Sequence, residues 1–266
     1  MNPPPRRCPN RHTRTNGSGR RLRVATPYIG TSGFSYKHWK SVFYPEDMPT
    51  SHWFGFYCKH FGTVELNNPF YRLPTFQTFQ AWKERSPEGF IFAVKASRYI
   101  THIKRLKEPE EPLERLMASA SGLGDKLGPI LFQLPPNYKP DLARLRGLLE
   151  LRARDQRWVL EFRHTDWFSE EVLDLLRAAN VALCIHDGTP GCPRVATADF
   201  IYMRFHGGES HDGNYTNAKL RQRSNEISDW LENGLDVYAY FNNDVGGYAV
   251  NNAQYVINSL TAGAHR

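Results

Sequence analysis

Eight short apolar segments recur along the chain, and between them apolar residues return every three or four positions. A continuous apolar segment of this length predicts a buried strand, whereas the three-to-four spacing predicts a helix packed on a sheet. Eight such units in about 240 residues predict an α/β fold, a closed (β/α)8 barrel of the TIM type. The predicted strands are Tyr28–Gly33, Thr63–Asn67, Phe90–Lys95, Ile130–Leu134, Trp158–Arg163, Val181–His186, Phe200–His206 and Val237–Asn242.

The segments between these strands carry helix signals. Between strands six and seven the sequence is instead rich in glycine and proline, so helix six is predicted to be short or missing. A doubly wound open sheet is the alternative fold, but no Gly-x-Gly-x-x-Gly fingerprint follows the first strand. Helices are predicted over Thr75–Arg85, Ala218–Glu232 and Ala253–Leu260. Further helices are predicted to begin near Pro112, Pro140 and Ser169.

Side chains of a strand alternate between two faces, so one set faces the surrounding helices and the other faces the barrel interior. The outward set, which includes Leu160 and Phe162, is apolar from the second strand onward. The inward set becomes polar near the carboxyl end of each strand, where barrel enzymes build their active sites. The polar inward residues are Glu65, Asn67, Lys95, Gln133, Glu161, Arg163, His186, Arg204, His206 and Asn242.

This predicted ring suits acid/base chemistry on an anion. Glu65 and Glu161 are candidate general acids or bases, and Lys95, His102 and His164 are further catalytic candidates. Arginine forks and amides suit the recognition of carboxylate or phosphate. The candidate substrate-binding residues are Asn67, Tyr71, Gln133, Arg163, Arg204, His206, Asn242, Asn243 and Asp244.

Glycine pairs follow the last two predicted strands, in His206-Gly207-Gly208 and in Asn243-Asp244-Val245-Gly246-Gly247. Loops at these two places commonly hold the phosphate group in TIM barrels. We therefore expect a small anionic ligand, and a phosphorylated one fits these loops.

A metal site is the alternative use of the same ring. Glu65, Glu161, His186 and His206 offer oxygen and nitrogen ligands that suit Mn²⁺ or Zn²⁺. No short-range spacing of histidines supports such a site, and three nearby cations disfavour a divalent ion. No metal or other cofactor is therefore predicted, and the divalent metal stays open as the alternative.

The formal charge of +7 is concentrated at the amino terminus. Seven of the 34 basic residues are arginines within residues 1–24, which hold no acid, so the rest of the chain is charge-balanced. Proline, glycine and serine in that segment predict a disordered basic tail over 1–24, followed by one barrel domain over 25–266. A basic tail keeps nucleic acid open as a partner.

Four cysteines without a Cys-x-x-Cys pair predict a reduced, cytoplasmic protein. No apolar run approaches the ~20 residues of a membrane helix, so no membrane partner is expected. The sequence makes no prediction about the oligomeric state.

A set of motifs spread over residues 28–260 carries a family resemblance. The motifs are Gly30-Thr31-Ser32-Gly33-Phe34-Ser35-Tyr36, Phe43-Tyr44-Pro45, Glu65-Leu66-Asn67 with Phe70-Tyr71, Phe92-Ala93-Val94-Lys95-Ala96, Ile100-Thr101-His102, Leu131-Phe132-Gln133-Leu134-Pro135-Pro136, Glu161-Phe162-Arg163-His164 with Trp167, Arg204-Phe205-His206-Gly207 and Phe241-Asn242-Asn243-Asp244. Their combination resembles the YecE-like family, also called domain of unknown function 72. The resemblance implies a TIM-type barrel and no established activity. The chain departs from the family pattern at Phe34 and at Asn68-Pro69.

Three functions are consistent with these observations. The first is an enzyme that performs hydrolase, lyase or isomerase chemistry on a small anionic or phosphorylated substrate. The second is a metal-dependent, endonuclease-like protein that acts on or binds nucleic acid, although the charge-balanced body argues against it. The third is a ligand sensor without catalysis.

Overall fold

Eight parallel strands close into a barrel in the computed structural model, which describes residues 14–15, 21–22, 24–207 and 213–263. Each strand pairs with its sequence neighbours, and the last strand pairs with the first to close the sheet. This confirms the predicted (β/α)8 barrel. The strands are β1 (Pro27–Ser32), β2 (Thr63–Leu66), β3 (Ile91–Lys95), β4 (Leu127–Gln133), β5 (Trp158–Glu161), β6 (Ala182–His186), β7 (Phe200–Phe205) and β8 (Asp236–Phe241).

Helices lie between most consecutive strands. The crossover 187–199, all of which is described, joins β6 to β7 without a helix, as its glycine and proline content predicts. No helix in the described ranges has the length and apolar character needed to cross a bilayer. The helices are α1 (Trp53–Tyr57), α2 (Asn68–Tyr71), α3 (Phe76–Arg85), α4 (Glu110–Ala120), α5 (Leu142–Glu150), α6 (Glu170–Ala178), α7 (Asn217–Glu232) and α8 (Tyr248–Gly263).

Capping residues set where several helices begin. The Ser169 hydroxyl accepts a hydrogen bond from the Val172 backbone N–H at 3.4 Å, so α6 begins as predicted. The helix expected from Pro140 begins at Leu142, because the Asp141 carboxylate caps it instead. The helix expected from Pro112 begins two residues earlier, since a proline anywhere in the first turn removes no helical hydrogen bond.

Two separate apolar clusters confirm the predicted alternation along the strands. The outward residues of β2–β8 pack with the helices in the larger cluster, which includes Val64, Phe132 and Phe162. The smaller cluster fills the amino-terminal and middle parts of the barrel interior. Its members are Ala93, Leu131, Val159, Ala182, Cys184, Phe200, Tyr202, Tyr238 and Tyr240. Polar side chains therefore reach the interior at the carboxyl ends of the strands.

The predicted basic tail lies largely outside the described residues. Within it, Arg14–Thr15 pairs in antiparallel fashion with Arg21–Leu22, separately from the barrel sheet. The disorder proposed for residues 1–24 stays a prediction.

An ion pair lies at the amino-terminal end of the barrel, opposite the predicted site. Asp236, which is 1% exposed, holds Arg157 through Oδ2 and Nη2 at 2.9 Å and accepts a hydrogen bond from the Thr26 backbone N–H at 3.0 Å. Arg157 also donates to the Tyr238 hydroxyl at 2.7 Å, and its guanidinium lies 5.0 Å from the ring centroid of Phe200. The pair links the residue that precedes β5 to the first residue of β8 at this end of the barrel.

We expect Asp236→Ala to lower the free energy of unfolding by about 3 kcal/mol, because it leaves a half-buried guanidinium and a backbone N–H without their partner. Denaturation by urea measures the change. Asp174→Ala is the matched control: Asp174 forms an exposed pair with Arg177, and its loss should cost less than about 1 kcal/mol. Equal losses of unfolding free energy in the two variants would show that the buried pair stabilises the protein no more than an exposed pair does.

Candidate active site

Arg204 occupies the centre of the barrel at the carboxyl ends of the strands. It follows Phe200 and Tyr202 on the inward face of β7 and is 1% exposed. Its Nη1 donates to Glu161 Oε2 at 2.7 Å, and its Nη2 donates to Glu65 Oε1 at 2.8 Å. One guanidinium thereby joins side chains of β2, β5 and β7.

The strand register explains why these groups meet at one height in the barrel. Ser32 of β1 lies opposite Glu65 of β2, and its hydroxyl donates to Glu65 Oε1 and lies 3.1 Å from Arg204 Nη2. Gln133 of β4 lies opposite Glu161 of β5 in the same way. The predicted inward residues of these strands therefore form one layer.

Both glutamates are fully buried and fully engaged. Glu65 Oε2 accepts a hydrogen bond from the Tyr202 hydroxyl at 2.6 Å, and Glu161 Oε1 accepts one from Arg163 Nε. Burial by itself raises the pKa of Glu161, but the charges of Arg204 and Arg163 outweigh it and hold the pKa well below its usual range. Glu161 is therefore ionised, and both glutamates form ion pairs with the arginines. The role of general acid or base expected for Glu65 or Glu161 stays a prediction.

A second group of predicted residues surrounds His206. Arg163 Nη2 donates to His206 Nε2 at 2.6 Å, and the Asn242 amide lies 3.1 Å from Nδ1. Burial, reinforced by the charges of Arg204 and Arg163, lowers the pKa of His206 to about 2. The imidazole is therefore neutral, which leaves Nε2 free to accept the bond from Arg163.

Gly188, in the crossover after β6, sets the position of Arg163. A β-carbon at this residue would collide with Arg163 Nη1 and come within 3.1 Å of the His206 ring. Only glycine lets the crossover approach the guanidinium this closely.

A cavity of about 660 Å³ opens above this layer. Three cationic side chains, several amides and two tyrosines line it, and no carboxylate from the described part of the chain does. The lining residues are Tyr36, Asn67, Asn68, Tyr71, Lys95, Gln133, Pro136, Arg163, Gly188, Thr189, Arg204, His206 and Asn242.

Lys95, the last residue of β3, differs from the two arginines, because no described residue forms a hydrogen bond or ion pair with its ammonium group, although the residue is only 9% exposed. Its Nζ lies 4.0 Å from the ring centroid of Phe70. Burial, followed by repulsion from Arg204, lowers the pKa of Lys95 to about 8. Lys95 is thus the lining residue that titrates nearest to neutral pH.

The other two catalytic candidates lie outside the cavity lining. The His102 ring packs edge-on against Phe70 at 5.0 Å, and its Nδ1 is 2.9 Å from the Thr101 hydroxyl. Burial and the charge of Lys95 lower the pKa of His102. His102 is not among the residues that line the cavity. His164 Nδ1 accepts a hydrogen bond from the backbone N–H of Asp166 at the start of a short 3-10 turn.

Asn243 and Asp244 hold the loop after β8 rather than lining the cavity. Asn243 Nδ2 donates to the Gly213 carbonyl and to Asn252 Oδ1, and the Asp244 carbonyl accepts a hydrogen bond from Trp39 Nε1. They do not line the cavity, because the strand ends before them and its alternation no longer applies. Their role in substrate binding stays a prediction.

The glycine pairs expected to bind phosphate have other geometry. Gly246 and Gly247 both have positive φ and lead into α8, and a β-carbon on Gly247 would collide with Val42. Gly207 also has positive φ, whereas Gly208 lies outside the described residues. Gly207, Gly246 and Gly247 do not contribute to the cavity lining.

Glu161, His186 and His206 form the possible metal-binding group found among the described residues, with ligand atoms within 4.8 Å of one another. His186 Nε2 lies 3.0 Å from the Phe162 carbonyl oxygen, and its Nδ1 accepts a hydrogen bond from the Gly188 backbone N–H. Both ring nitrogens are thus in use, and two arginines already contact the carboxylate. The residue types suit a divalent cation, but their donor atoms are already engaged by protein partners, which disfavours a metal here.

Sequence reasoning missed several residues of the site. Ser32 and Tyr202 bond the central ion cluster, while Thr189 lines the cavity. The alternation rule could have found Ser32 and Tyr202, because both lie on inward positions of their strands. Thr189 lies in a loop, where no periodic signal exists.

Comparison with known proteins agrees with the fold. Residues 28–266 match the family described as "Protein of unknown function DUF72". The chain is 29% identical over 269 residues to the UPF0759 protein YunF of Bacillus subtilis (strain 168), across 88% of this chain and 94% of YunF. It is 27% identical over 115 residues to the UPF0759 protein YecE of Escherichia coli (strain K12), across 43% of this chain and 42% of YecE.

A solved DUF72 family protein from Thermotoga maritima is similar with a TM-score of 0.77 and 29% identity, over 89% of this chain and 99% of that protein. The family match spans all eight barrel strands from Tyr28 onward and every lining residue of the cavity. The chain therefore belongs to the DUF72 family of proteins of unknown function.

Proposed function

We propose that this protein is an enzyme that transfers protons on a small anionic substrate, with Lys95 as the group that exchanges the proton. The observation that carries the proposal is the lining of the cavity, which combines three cations with no described carboxylate. An anion in the cavity is attracted by the three cations, and no described carboxylate in the cavity wall repels it.

The two buried glutamates neutralise the charges of the arginines beneath the cavity. They leave Lys95 without a counter-ion among the described residues. Arg204 contacts both carboxylates, and Arg163 contacts one of them. Lys95 therefore supports binding of a negative group by charge, and Arg163 supports it with guanidinium donors. A pKa of about 8 lets Lys95 exist in both protonation states near neutral pH, as general acid/base catalysis requires.

Neutral groups around the cations can orient such a substrate. Asn67 Nδ2 donates to the Ser32 hydroxyl at 3.0 Å, whereas the buried Asn67 Oδ1 has no hydrogen-bond partner within the described ranges. Gln133 and Asn242 add further amides. An unpaired buried acceptor favours a ligand hydroxyl or N–H at this point of the cavity.

The two alternative functions receive less support. A metal-dependent nuclease would use Glu161, His186 and His206, whose donor atoms are already committed to arginine and backbone partners. A sensor without catalysis needs no amine with a pKa near neutrality, so the environment of Lys95 favours an enzyme.

We expect inorganic phosphate or citrate to raise the melting temperature of the wild-type protein, by about 3 °C at ten times the Kd. Arg163→Ala should abolish the shift, because it removes guanidinium donors from the cavity wall. Arg194→Ala is the control, since Arg194 pairs with Glu226 away from the cavity and its loss should leave the shift intact. An unchanged shift in Arg163→Ala would remove the support for anion binding here.

Lys95 should titrate near pH 8, below the value of about 10.4 for an ordinary lysine. NMR of protein whose lysines are ¹³C-dimethylated should resolve one such resonance, which Lys95→Met removes. Because the unfolded chain binds more protons than the folded one between about pH 8 and 10.4, this group makes stability rise with pH across that window. A Lys95 resonance that titrates with the surface lysines would contradict the assignment of its role.

A further inference from the structure

Lys126, which is partly exposed, and Lys95, which is buried, differ in what surrounds their ammonium groups. Lys126 Nζ donates three hydrogen bonds, to the Lys83 carbonyl at 2.8 Å, the Ser86 carbonyl at 2.8 Å and the Ser86 hydroxyl at 2.7 Å. Lys126 is therefore a structural cation whose donors are all used. Lys95 has no such acceptor among the described residues and lines the cavity.

The surroundings of Lys95 favour an amine whose lone pair is available. The Phe70 ring covers one side of Nζ at 4.0 Å, and its face also attracts the ammonium form of Lys95. Arg204 and Arg163 lower the pKa of Lys95 by repulsion and Glu161 and Glu65 raise it, but burial outweighs the glutamates, which are hydrogen-bonded to Arg204 rather than to Lys95. A desolvated lysine beside other cations is the setting in which amines act as nucleophiles on carbonyl groups.

We propose that Lys95 forms an imine with the carbonyl carbon of a small aldehyde or ketone that carries a carboxylate or phosphate group. This inference rests on the proposed function, because the same cavity binds the anionic group. It narrows the substrate class from small anions in general to oxo acids and oxo phosphates.

The step balances without any other reactant. The neutral Nζ of Lys95 attacks the carbonyl carbon, the carbon–oxygen π bond breaks, and one proton moves from nitrogen to oxygen to give a carbinolamine. The hydroxyl then leaves with a proton as water, and a carbon–nitrogen double bond remains. Once protonated, the imine nitrogen withdraws electrons from the neighbouring carbon and eases the removal of a proton there.

The cavity can stabilise both the carbinolamine and the protonated imine. The protonated imine carries the same positive charge as the ammonium form of Lys95, and the negative group of the substrate serves as the counter-ion that the described part of the protein does not provide. The carbinolamine hydroxyl can hydrogen bond to the unpaired Asn67 Oδ1, one of the amides in the cavity wall. Both glutamates remain with Arg204 throughout.

Reduction by cyanoborohydride tests the proposal, because it turns an imine into a stable secondary amine. The protein is incubated with pyruvate, with dihydroxyacetone phosphate, or with acetone, which lacks the anionic group, and the adduct is mapped by peptide mass spectrometry. We expect one adduct on Lys95 with the two anionic probes and at least about ten-fold less with acetone, the loss expected for a charge-assisted contact.

Three variants sharpen the result. Lys95→Arg keeps the charge but cannot form an imine, so the adduct should disappear, while Lys126→Arg should retain it. Arg163→Ala should lower its yield about ten-fold with the anionic probes. Thermal unfolding confirms that each variant is folded, and mapping on the wild-type protein locates the adduct without relying on any variant.

The outcomes separate this inference from the proposed function. If phosphate raises the melting temperature but neither anionic probe labels Lys95, the imine is wrong and anion binding stands. Labelling spread evenly over surface lysines overturns the imine as well. Absence of both the thermal shift and the adduct overturns the proposed function itself.

Discussion

The contact between Arg204 and its two glutamates is the interaction on which the rest of the site depends. Two carboxylates and a guanidinium lie in the barrel with almost no exposure, and each would be costly to bury alone. Their hydrogen bonds to one another, to Ser32 and to Tyr202 offset that cost. Because the partners come from β2, β5 and β7, the cluster also fixes the spacing of strands that are distant in sequence.

This pairing decides which group is left for chemistry. A sequence with two glutamates at a barrel mouth suggests carboxylate catalysis, yet here every carboxylate oxygen faces a donor. The excess cation is Lys95, which has a depressed pKa and a wall of amides around it. The site therefore consists of an ion cluster, in which the arginines and glutamates neutralise one another, and the amine of Lys95 above it. This arrangement suits the proposed anionic substrate better than a metal ion.

The fold and the ring of polar residues could be predicted because both follow from periodicity. The outward and inward positions of each strand differ in polarity, and closure of the sheet then brings the inward ends together. The pairing within the ring could not be predicted, because it depends on which side chains meet across the barrel. His102, Asn243 and Asp244 lie beyond the strand ends, where contacts with remote residues such as Phe70, Asn252 and Trp39 decide their placement.

The most direct measurement is the pKa of Lys95 by NMR in two variants that unbalance the cluster in opposite directions. Arg204→Met frees the negative charge of Glu65 and Glu161 and should raise the pKa of Lys95 well above 8, whereas Glu161→Gln removes one carboxylate and should lower it. Opposite shifts in two folded variants are the expected result. A pKa that stays the same in both would contradict the claim that the buried cluster leaves Lys95 as the free amine of the site.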